Sequence, residues 1–371
     1  MPRHAAVLLL ALLAAPAAAQ TPLYSVTIVS GGNPPPSAGP VSLPLSLNNN
    51  GRVVGYGFTP AGQIQAMNWK NGIATPLGGI SVFDQTFANR VNILGRIAGA
   101  GYTLSASGQI VASHALKWTG GVMSDLGGLG GNFAAALGIN DSDQIVGFAT
   151  TPGEAQTRAF AYDHGVMTAL TTLPGATESY AYDISNTGYI AGAAVTSTPA
   201  RPFLGHAGRA VALPSPAGAR AGAANAVNDS GVAVGSYEIS LATGEFAAVR
   251  WTGGQMLNLG NLGGAFNYAV AADVNTGGQI VGTSNSPHGY TGFVWQGGQM
   301  YDLSTLLAAP YSDLHISSAN AINDRGQIAA AALIDGRQTA ILLTPVVPNV
   351  PAPGAVAILA AAGLLAIHRK R

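Results

Sequence analysis

Residues 139–147 read INDSDQIVG, a nine-residue phrase that recurs six more times along the chain. The other copies are LNNNGRVVG at 47–55, VNILGRIAG at 91–99, ISNTGYIAG at 184–192, VNDSGVAVG at 227–235, VNTGGQIVG at 274–282 and INDRGQIAA at 322–330. The second positions of successive copies lie 43 to 48 residues apart. So regular a spacing indicates one structural unit repeated seven times.

A second phrase lies between the copies of the first, and WTGGQMLNLGNLGG from Trp251 is its clearest example. Related phrases begin at Trp69, Trp118, Tyr162 and Trp295. A degraded copy, HAGRAVALPSPAG, begins at His206. Because tryptophan recurs at one phase of the repeat, we expect these indoles to pack in the core.

Each unit reads as four short strands joined by tight turns. The third unit predicts strands at 134–140, 144–150, 158–163 and 166–173. Their apolar residues alternate or run continuously, as in buried strands. The Asn-Asp-Ser-Asp and Asp-His-Gly steps between them are rich in turn-forming residues. Four strands in about 45 residues is the period of a propeller blade.

The ends of the repeat region predict how the ring closes. The seventh unit has a third strand, 339–346, but no fourth-strand phrase follows it. A lone strand at 23–30 precedes the first unit and can take the missing place. We therefore expect an all-β, seven-bladed β-propeller over 21–347, in which the N-terminal strand closes the ring and removes a free edge.

The first 20 residues read MPRHAAVLLLALLAAPAAAQ and predict a secretory signal peptide. A basic start at Arg3 is followed by an apolar run at 5–15 and by small residues at 17–19. The run is shorter than the roughly 20 residues that a membrane-spanning helix needs. We expect export and cleavage by signal peptidase.

Residues 348–371 predict a C-terminal tail in three parts. A proline-rich joint is followed by an apolar stretch at 355–367 and by the basic end Arg369, Lys370 and Arg371. Basic residues after an apolar segment hold that end on the cytoplasmic side. The stretch is again short for a permanent span. A sorting tail in transient membrane contact and a short membrane anchor both fit these features.

This tail resembles the PEP-CTERM sorting signals of Gram-negative bacteria. The resemblance rests on Val350, Pro351, Pro353 and Gly354, with Ala352 where that family usually has glutamate. It implies processing by an exosortase-type enzyme and delivery to the outer cell surface or the extracellular matrix.

The repeats resemble the HAF family of extracellular bacterial repeats. Residues 126–147 and 259–282 follow that family's Leu-Gly-x-Leu-Gly-Gly and Ile-Asn-x-x-Gly-Gln-Val-Val-Gly pattern. The His-Ala-Phe triplet is altered here to His-Ala-Leu at 114–116 and Arg-Ala-Phe at 158–160. The resemblance covers 22–345 and implies an exported repeat protein, but it implies no particular activity.

Composition restricts the chemistry of the chain. Apolar residues make up 48% and charged residues 9%, which favours a packed, turn-rich fold. Without the two ends, the chain has 16 − 4 = 12 basic residues and 16 acidic ones, which gives a net charge of −4. A faintly acidic body without a basic run argues against a nucleic-acid partner. The absence of cysteine excludes thiol catalysis and disulfides.

No local pattern predicts a catalytic, metal or cofactor site. The histidines do not pair at metal-ligand spacing. The step at 140–143 lacks the glycine and glutamate of a calcium loop, so we expect an Asx turn there rather than a weak calcium site. Several aspartates, which we place at differing phases of the repeat, predict no ring of acids. They are Asp84, Asp125, Asp183, Asp273 and Asp302.

Five aromatic residues are the candidate binding residues, because aromatic faces stack on sugars and other rings. They are Phe87, Phe133, Tyr180, Phe266 and Tyr268. We place them in the links before the first strands, where they gather on one face of the ring. The alternative is that they wedge between blades as part of the core.

Three functions are compatible with these features. The first is a non-enzymatic surface or matrix protein that binds extracellular polysaccharide. The second is an extracellular glycan-acting hydrolase or lyase, and the third is a purely structural or adhesive protein. An enzyme needs two or more acids on first strands facing the channel. The first strands at 134–137 and 224–227 are small and apolar, which counts against it.

Overall fold

The computed structural model describes seven stretches of the chain. They are 23–29, 42–59, 61–79, 81–196, 199–216, 218–240 and 242–346. The predicted signal peptide at 1–20 and the predicted sorting tail at 348–371 lie outside the described residues. Within the described stretches, no helix has the length and apolar character needed to cross a membrane.

Within the described stretches, twenty-eight strands form seven antiparallel sheets of four, which confirms the predicted fold class. Blade 1 comprises β2 (Ser42–Leu47), β3 (Val53–Phe58), β4 (Ile64–Lys70) and β5 (Ile73–Pro76). Blade 2 comprises β6 (Gln85–Val91), β7 (Ile97–Leu104), β8 (Ile110–Thr119) and β9 (Val122–Asp125). Blade 3 comprises β10 (Ala134–Ile139), β11 (Ile145–Thr150), β12 (Thr157–Asp163) and β13 (Val166–Ala169).

The remaining blades follow the same order. Blade 4 comprises β14 (Glu178–Ile184), β15 (Ile190–Val195), β16 (Arg201–His206) and β17 (Arg209–Ala212). Blade 5 comprises β18 (Ala221–Val227), β19 (Ala233–Ser240), β20 (Glu245–Thr252) and β21 (Gln255–Asn258). Blade 6 comprises β22 (Ala269–Val274), β23 (Ile280–Ser286), β24 (Gly289–Gln296) and β25 (Gln299–Asp302). Short 3-10 helices cover Pro152–Glu154 and Leu303–Leu306.

Blade 7 joins the two ends of the repeat region. It comprises β26 (His315–Ile322), β27 (Ile328–Ile334), β28 (Arg337–Val346) and, as its outer strand, β1 (Leu23–Ile28). β1 runs antiparallel to β28, from the pair Leu23 with Val346 to the pair Ile28 with Ile341. The predicted closure by the N-terminal strand is therefore confirmed.

The first strands surround the axis of the ring. Each first strand contacts the first strands of both neighbouring blades, while each fourth strand is the outermost strand of its sheet and pairs only with the third strand. The first strand of every blade carries a register shift, as between Ala136 and Gly138 in β10. There the facing strand comes so close that a Cβ at Gly147 would lie 1.9 Å from the Ala135 carbonyl oxygen. This close approach explains the glycine of the repeated phrase.

The core lies between blades, where indoles of third strands fill the space. Trp69, Trp118 and Trp251 are each 1% exposed, and Trp295 is 7% exposed. Trp251 of blade 5, for example, packs with Ala191 and Leu204 of blade 4. The prediction that these tryptophans are core residues is confirmed.

Candidate functional site

The propeller presents two different faces. The turns between first and second strands gather on one face, which we call the turn face. The links that lead from a fourth strand to the next first strand lie on the other, the link face. The asparagines and aspartates of the repeated phrases lie on the turn face, and Phe266 and Tyr268 lie on the link face, in the link before β22.

In six of the seven phrases, the residue at the second position is an asparagine that joins neighbouring blades on the turn face. Asn140 Oδ1 accepts from the backbone N–H of Gln144 at 3.0 Å, and its Nδ2 donates to the carbonyl oxygen of Ser185 at 3.2 Å. The Asn140 side chain thus holds the turn at 140–143 through residue 144, whereas the two-residue bond of an Asx turn is formed at the same position by Asn48, Asn228 and Asn323. We call these side chains the amide belt: Asn48, Asn92, Asn140, Asn228, Asn275 and Asn323.

The amide belt continues from the last blade to the first, but it lacks an asparagine in blade 4. Asn323 Nδ2 donates to the carbonyl oxygen of Asn48 at 3.0 Å, so the last blade is joined to the first. Blade 4 carries Ser185 at the belt position. There Thr187 Oγ1 donates to the carbonyl oxygen of Asp229 at 2.8 Å, so a different residue joins blades 4 and 5.

Aspartates form the rim of the turn face by accepting hydrogen bonds from the preceding blade. Asp141 Oδ1 accepts from the backbone N–H of Ile93, Asp229 from that of Asn186, and Asp324 from that of Thr276, at 2.7 to 2.9 Å. Partial burial opposes ionisation of Asp324. The hydrogen bonds from Thr276 and Asn49 outweigh burial and lower its pKa. These acids hold the interfaces together.

Below the rim, a small cavity of about 160 Å³ on the axis is lined by residues of all seven blades. Arg90 forms a two-point ion pair with Asp183 there, with Nε to Oδ1 at 3.0 Å and Nη2 to Oδ2 at 2.8 Å. Arg90 Nη1 also lies 3.6 Å from Asp273 Oδ1. We call these three side chains the axial triad.

The axial triad corrects the expectation that the acids occupy unrelated phases. Asp183 and Asp273 each stand two residues before the belt position of their blade, as Arg90 does in blade 2. Each carboxylate also accepts from the next blade, Asp183 from Val227 N–H and Asp273 from Ile322 N–H, both at 3.0 Å. Two acids therefore do face the channel, and both are hydrogen-bonded to protein groups.

Burial shifts the protonation of the triad. Burial raises the pKa of Asp273 to about 6, an effect that Arg90 opposes and Asp183 reinforces. Burial also raises the pKa of Asp183, although Arg90 and Val227 N–H oppose it. Burial disfavours the charge on Arg90, but the two carboxylates outweigh this and raise its pKa. At neutral pH the triad carries two acids against one base.

The raised pKa of Asp273 predicts a loss of stability as pH rises. An aspartate of ordinary pKa in the unfolded chain binds its proton less tightly than folded Asp273, so folding is favoured at low pH. The contribution is present below about pH 4 and is lost as pH rises through about 6. Denaturant unfolding at pH 4.5 and 7.5 should show that Asp273→Asn removes about 2 kcal/mol of this pH dependence. Asp313→Asn, at an exposed site, should leave the wild-type dependence unchanged; identical profiles for all three proteins would contradict it.

The five predicted aromatic residues occupy different places. Phe87 lies within β6 and Tyr180 within β14, so the expectation that both belong to links is wrong. Phe133 directly precedes β10, and Phe266 and Tyr268 lie in the link before β22, as predicted. The first strands simply begin earlier in blades 2 and 4.

The aromatic residues form separate clusters. Phe87 contacts Tyr56 and Tyr102 edge-on, with ring centroids 5.0 and 5.3 Å apart. Tyr180 contacts Phe148 at 5.3 Å and stacks on Tyr182 at 6.3 Å. Within the described stretches, no ring contact joins these clusters to each other or to Phe133. The expected single gathering of all five residues is therefore not observed.

The third cluster is the most exposed and contains two predicted residues. Tyr268 lies 4.9 Å from Tyr290 and 5.7 Å from Phe246, and Phe266 lies 6.0 Å from Tyr290. Phe266 is 38% exposed and Tyr290 49% exposed. We call Phe246, Phe266, Tyr268 and Tyr290 the aromatic surface. Tyr290 and Phe246 were missed in the sequence because they begin third strands, at another phase of the repeat.

Polar groups border the aromatic surface. Asn261 Nδ2 donates to Asn267 Oδ1 at 3.1 Å, and both residues are exposed. His315 Nε2 lies 3.0 Å from the carbonyl oxygen of Tyr290. Flat rings beside amides are the residue types that hold sugars. Over the described residues, no group of three or more His, Asp or Glu side chains is arranged to hold a metal ion.

Comparison with known proteins shows the fold. No family model matches the chain, and no curated protein matches it. The propeller domain of the trilobed protease of Pyrococcus furiosus, described as having an open velcro topology, superposes with a TM-score of 0.52. Its identity is 10%, over 73% of this chain and 82% of that one.

A second similar structure is the acylaminoacyl peptidase of Pyrococcus horikoshii, with a TM-score of 0.51 and 8% identity. The match covers 86% of this chain and 53% of the peptidase, about half of its length. At such low identity the likeness carries no activity over to this chain. The chain is a seven-bladed β-propeller, and both binding proteins and enzymes are built on that fold.

Proposed function

We propose that this protein is an exported, non-enzymatic binding module. It presents its propeller at the cell surface or in the extracellular matrix and holds extracellular polysaccharide on the aromatic surface. Export and surface delivery are proposed from the two ends of the sequence, with signal peptidase and an exosortase-type enzyme as processing partners. Immunodetection on intact cells tests the location, and a purely cytoplasmic signal would refute it.

The observation that supports binding is the exposed aromatic surface itself. Tyr290 leaves about half of its surface in water, although burying an aromatic ring is strongly favourable. A sugar ring stacked on Phe266 or Tyr290 would cover apolar area, while the neighbouring amides of Asn261 and Asn267 could bond its hydroxyls.

The binding site can be tested with purified protein and the polysaccharide of the producing organism. Each lost stacking contact removes about 0.5–1.5 kcal/mol, so Phe266→Ala with Tyr290→Ala should weaken binding about tenfold. Calorimetric titration measures the affinity. Ile73→Ala, at an exposed apolar residue of β5, is the control and should bind as the wild type does. Equal affinity of the double variant would place the site elsewhere.

One observation favours the glycan-acting enzyme as a second candidate. Asp183 and Asp273 both face the channel, and a carboxyl with a pKa of about 6 can act as a general acid. Arg90 and backbone N–H groups already engage both carboxylates, and this favours an interblade role for them. Release of reducing sugar in the binding assay, abolished by Asp273→Asn, would establish the enzyme instead.

A further inference from the structure

Blade 4 lacks the indole that four other blades carry in their third strands. In the register of the second and third strands, Trp251 pairs with Ala233 and Trp295 with Ile280. The residue that pairs with Ile190 in blade 4 is Gly205. The phrase that begins at His206 is therefore one residue out of phase with the tryptophan position, and its expected alignment there is wrong.

The missing indole leaves an open recess between blades 3 and 4. Indoles in other blades pack against the preceding blade, as Trp251 does against Ala191 and Leu204. The recess beside Gly205 measures about 620 Å³. The corresponding space between blades 7 and 1, which Trp69 borders, measures about 270 Å³. The recess beside Gly205 is the larger of the two, and no side chain projects into it from position 205.

The backbone does not demand glycine at 205. A Cβ there would lie 3.6 Å from Ile190 Cβ and 3.7 Å from the Phe203 ring, which are ordinary contacts. Gly147, by contrast, has a carbonyl oxygen within 1.9 Å of its Cβ position. The backbone at position 205 therefore has space for a side chain, and the recess stays open there because glycine has none.

The walls of the recess suit a flat apolar ring with a polar edge. Ala161 and Leu170 of blade 3 face Ile184, Ile190 and Phe203 of blade 4. At the mouth, Asp163 accepts a hydrogen bond from Gln144 Nε2 at 3.2 Å, and the exposed Arg209 stands on the other side. Apolar walls with a few polar groups are typical of small-molecule sites.

We propose that this recess binds a small molecule carrying a planar aromatic ring of indole size. The repeat fills the same position with an indole in blades 1, 2, 5 and 6, so the geometry between blades already accepts such a ring. The recess opens on the turn face, away from the aromatic surface. The proposal is thus independent of polysaccharide binding.

Titration of the purified protein with indole, followed by calorimetry and by NMR, tests the proposal. We expect saturable binding to the wild type. In the Gly205→Trp variant the indole side chain fills the recess itself. This variant should bind free indole at least tenfold more weakly and melt a few degrees higher than the wild type. Val122→Trp, an indole added at an exposed residue of β9, is the matched control and should change neither.

A second variant tests the same recess independently, in case Gly205→Trp does not fold. Ala161→Leu narrows the recess from blade 3 and should also weaken indole binding several-fold, with the circular dichroism spectrum unchanged. Absence of saturable indole binding to the wild type would overturn the proposal. Undiminished binding to either folded variant would overturn it equally, because the ring would then lie elsewhere.

Discussion

A chain that lacks β1 is expected to melt roughly 10 °C or more below the intact protein. β1 is the outer strand of blade 7, and its removal leaves β28 as an unpaired edge. Tyr24 of β1 is completely buried in a cluster with Leu303 and Ile316. The backbone of Tyr24 also accepts from Ala308 N–H at 2.9 Å, so β1 secures the link between blades 6 and 7 as well.

Point variants of Tyr24 separate packing from hydrogen bonding. Tyr24→Ala should lower the free energy of unfolding by about 3–5 kcal/mol, the usual cost of emptying an aromatic site. The Tyr24 hydroxyl is buried without a hydrogen-bond partner among the described residues, and burial raises its pKa to about 12. Tyr24→Phe should therefore be neutral or raise stability by about 1 kcal/mol.

Differential scanning calorimetry on the deletion and the point variants provides the measurement. Ser25→Ala is the control, because Ser25 is exposed and its hydroxyl donates one hydrogen bond within the described part of the chain, to the Thr344 carbonyl oxygen at 3.2 Å. We expect a change within about 0.5 kcal/mol there. An unchanged melting temperature for the deletion would mean that the ring does not depend on β1.

Replacing Arg90 with methionine is expected to lower the free energy of unfolding by about 3–5 kcal/mol at pH 7.5. The substitution keeps an unbranched apolar stem but removes the guanidinium, so Asp183 and Asp273 stay buried without a counter-ion. Their proximity disfavours ionisation of both. At pH 4.5 the carboxyls of this variant can take up protons, so the loss of stability should be smaller there.

A triple variant shows whether unpaired charge causes the loss. Combining Arg90→Met with Asp183→Asn and Asp273→Asn removes all three charges, and each asparagine keeps the shape of the aspartate it replaces, so most of the stability should return. Arg325→Met, at an exposed arginine, is the control and should unfold as the wild type does. A triple variant as unstable as Arg90→Met would refute this explanation.

Much of the fold was predictable because its signals are local and repeated. The spacing of the phrase, the turn residues and the missing last strand together led to seven blades and to closure by β1. Strand positions agree closely, as at Ala134–Ile139 against the expected 134–140. Tryptophans at one phase were correctly predicted to be core, because burial of a large ring repeats with the blade.

The axial triad was not predicted because its members lie far apart in sequence and have different residue types. Arg90, Asp183 and Asp273 meet only because the same position of each blade reaches the axis. Alignment on the belt position would have placed all three at one phase. The positions of Phe87 and Tyr180 were wrong for a related reason, since strand starts differ between blades. The open recess at Gly205 depended on a register that only strand pairing reveals.

The amide belt has a direction: every asparagine reaches forward to the following blade, never back. Each unit therefore offers a side-chain donor to the following blade and a carbonyl acceptor to the preceding one. Because one repeat encodes both the donor and the acceptor, a gene that duplicated or lost a whole unit would still encode neighbouring blades that can bond to each other. The number of blades is then left to the angle between sheets and to the position of the final closing strand. Propellers with more or fewer blades could then arise from such duplications with the same hydrogen bonds at every interface between blades.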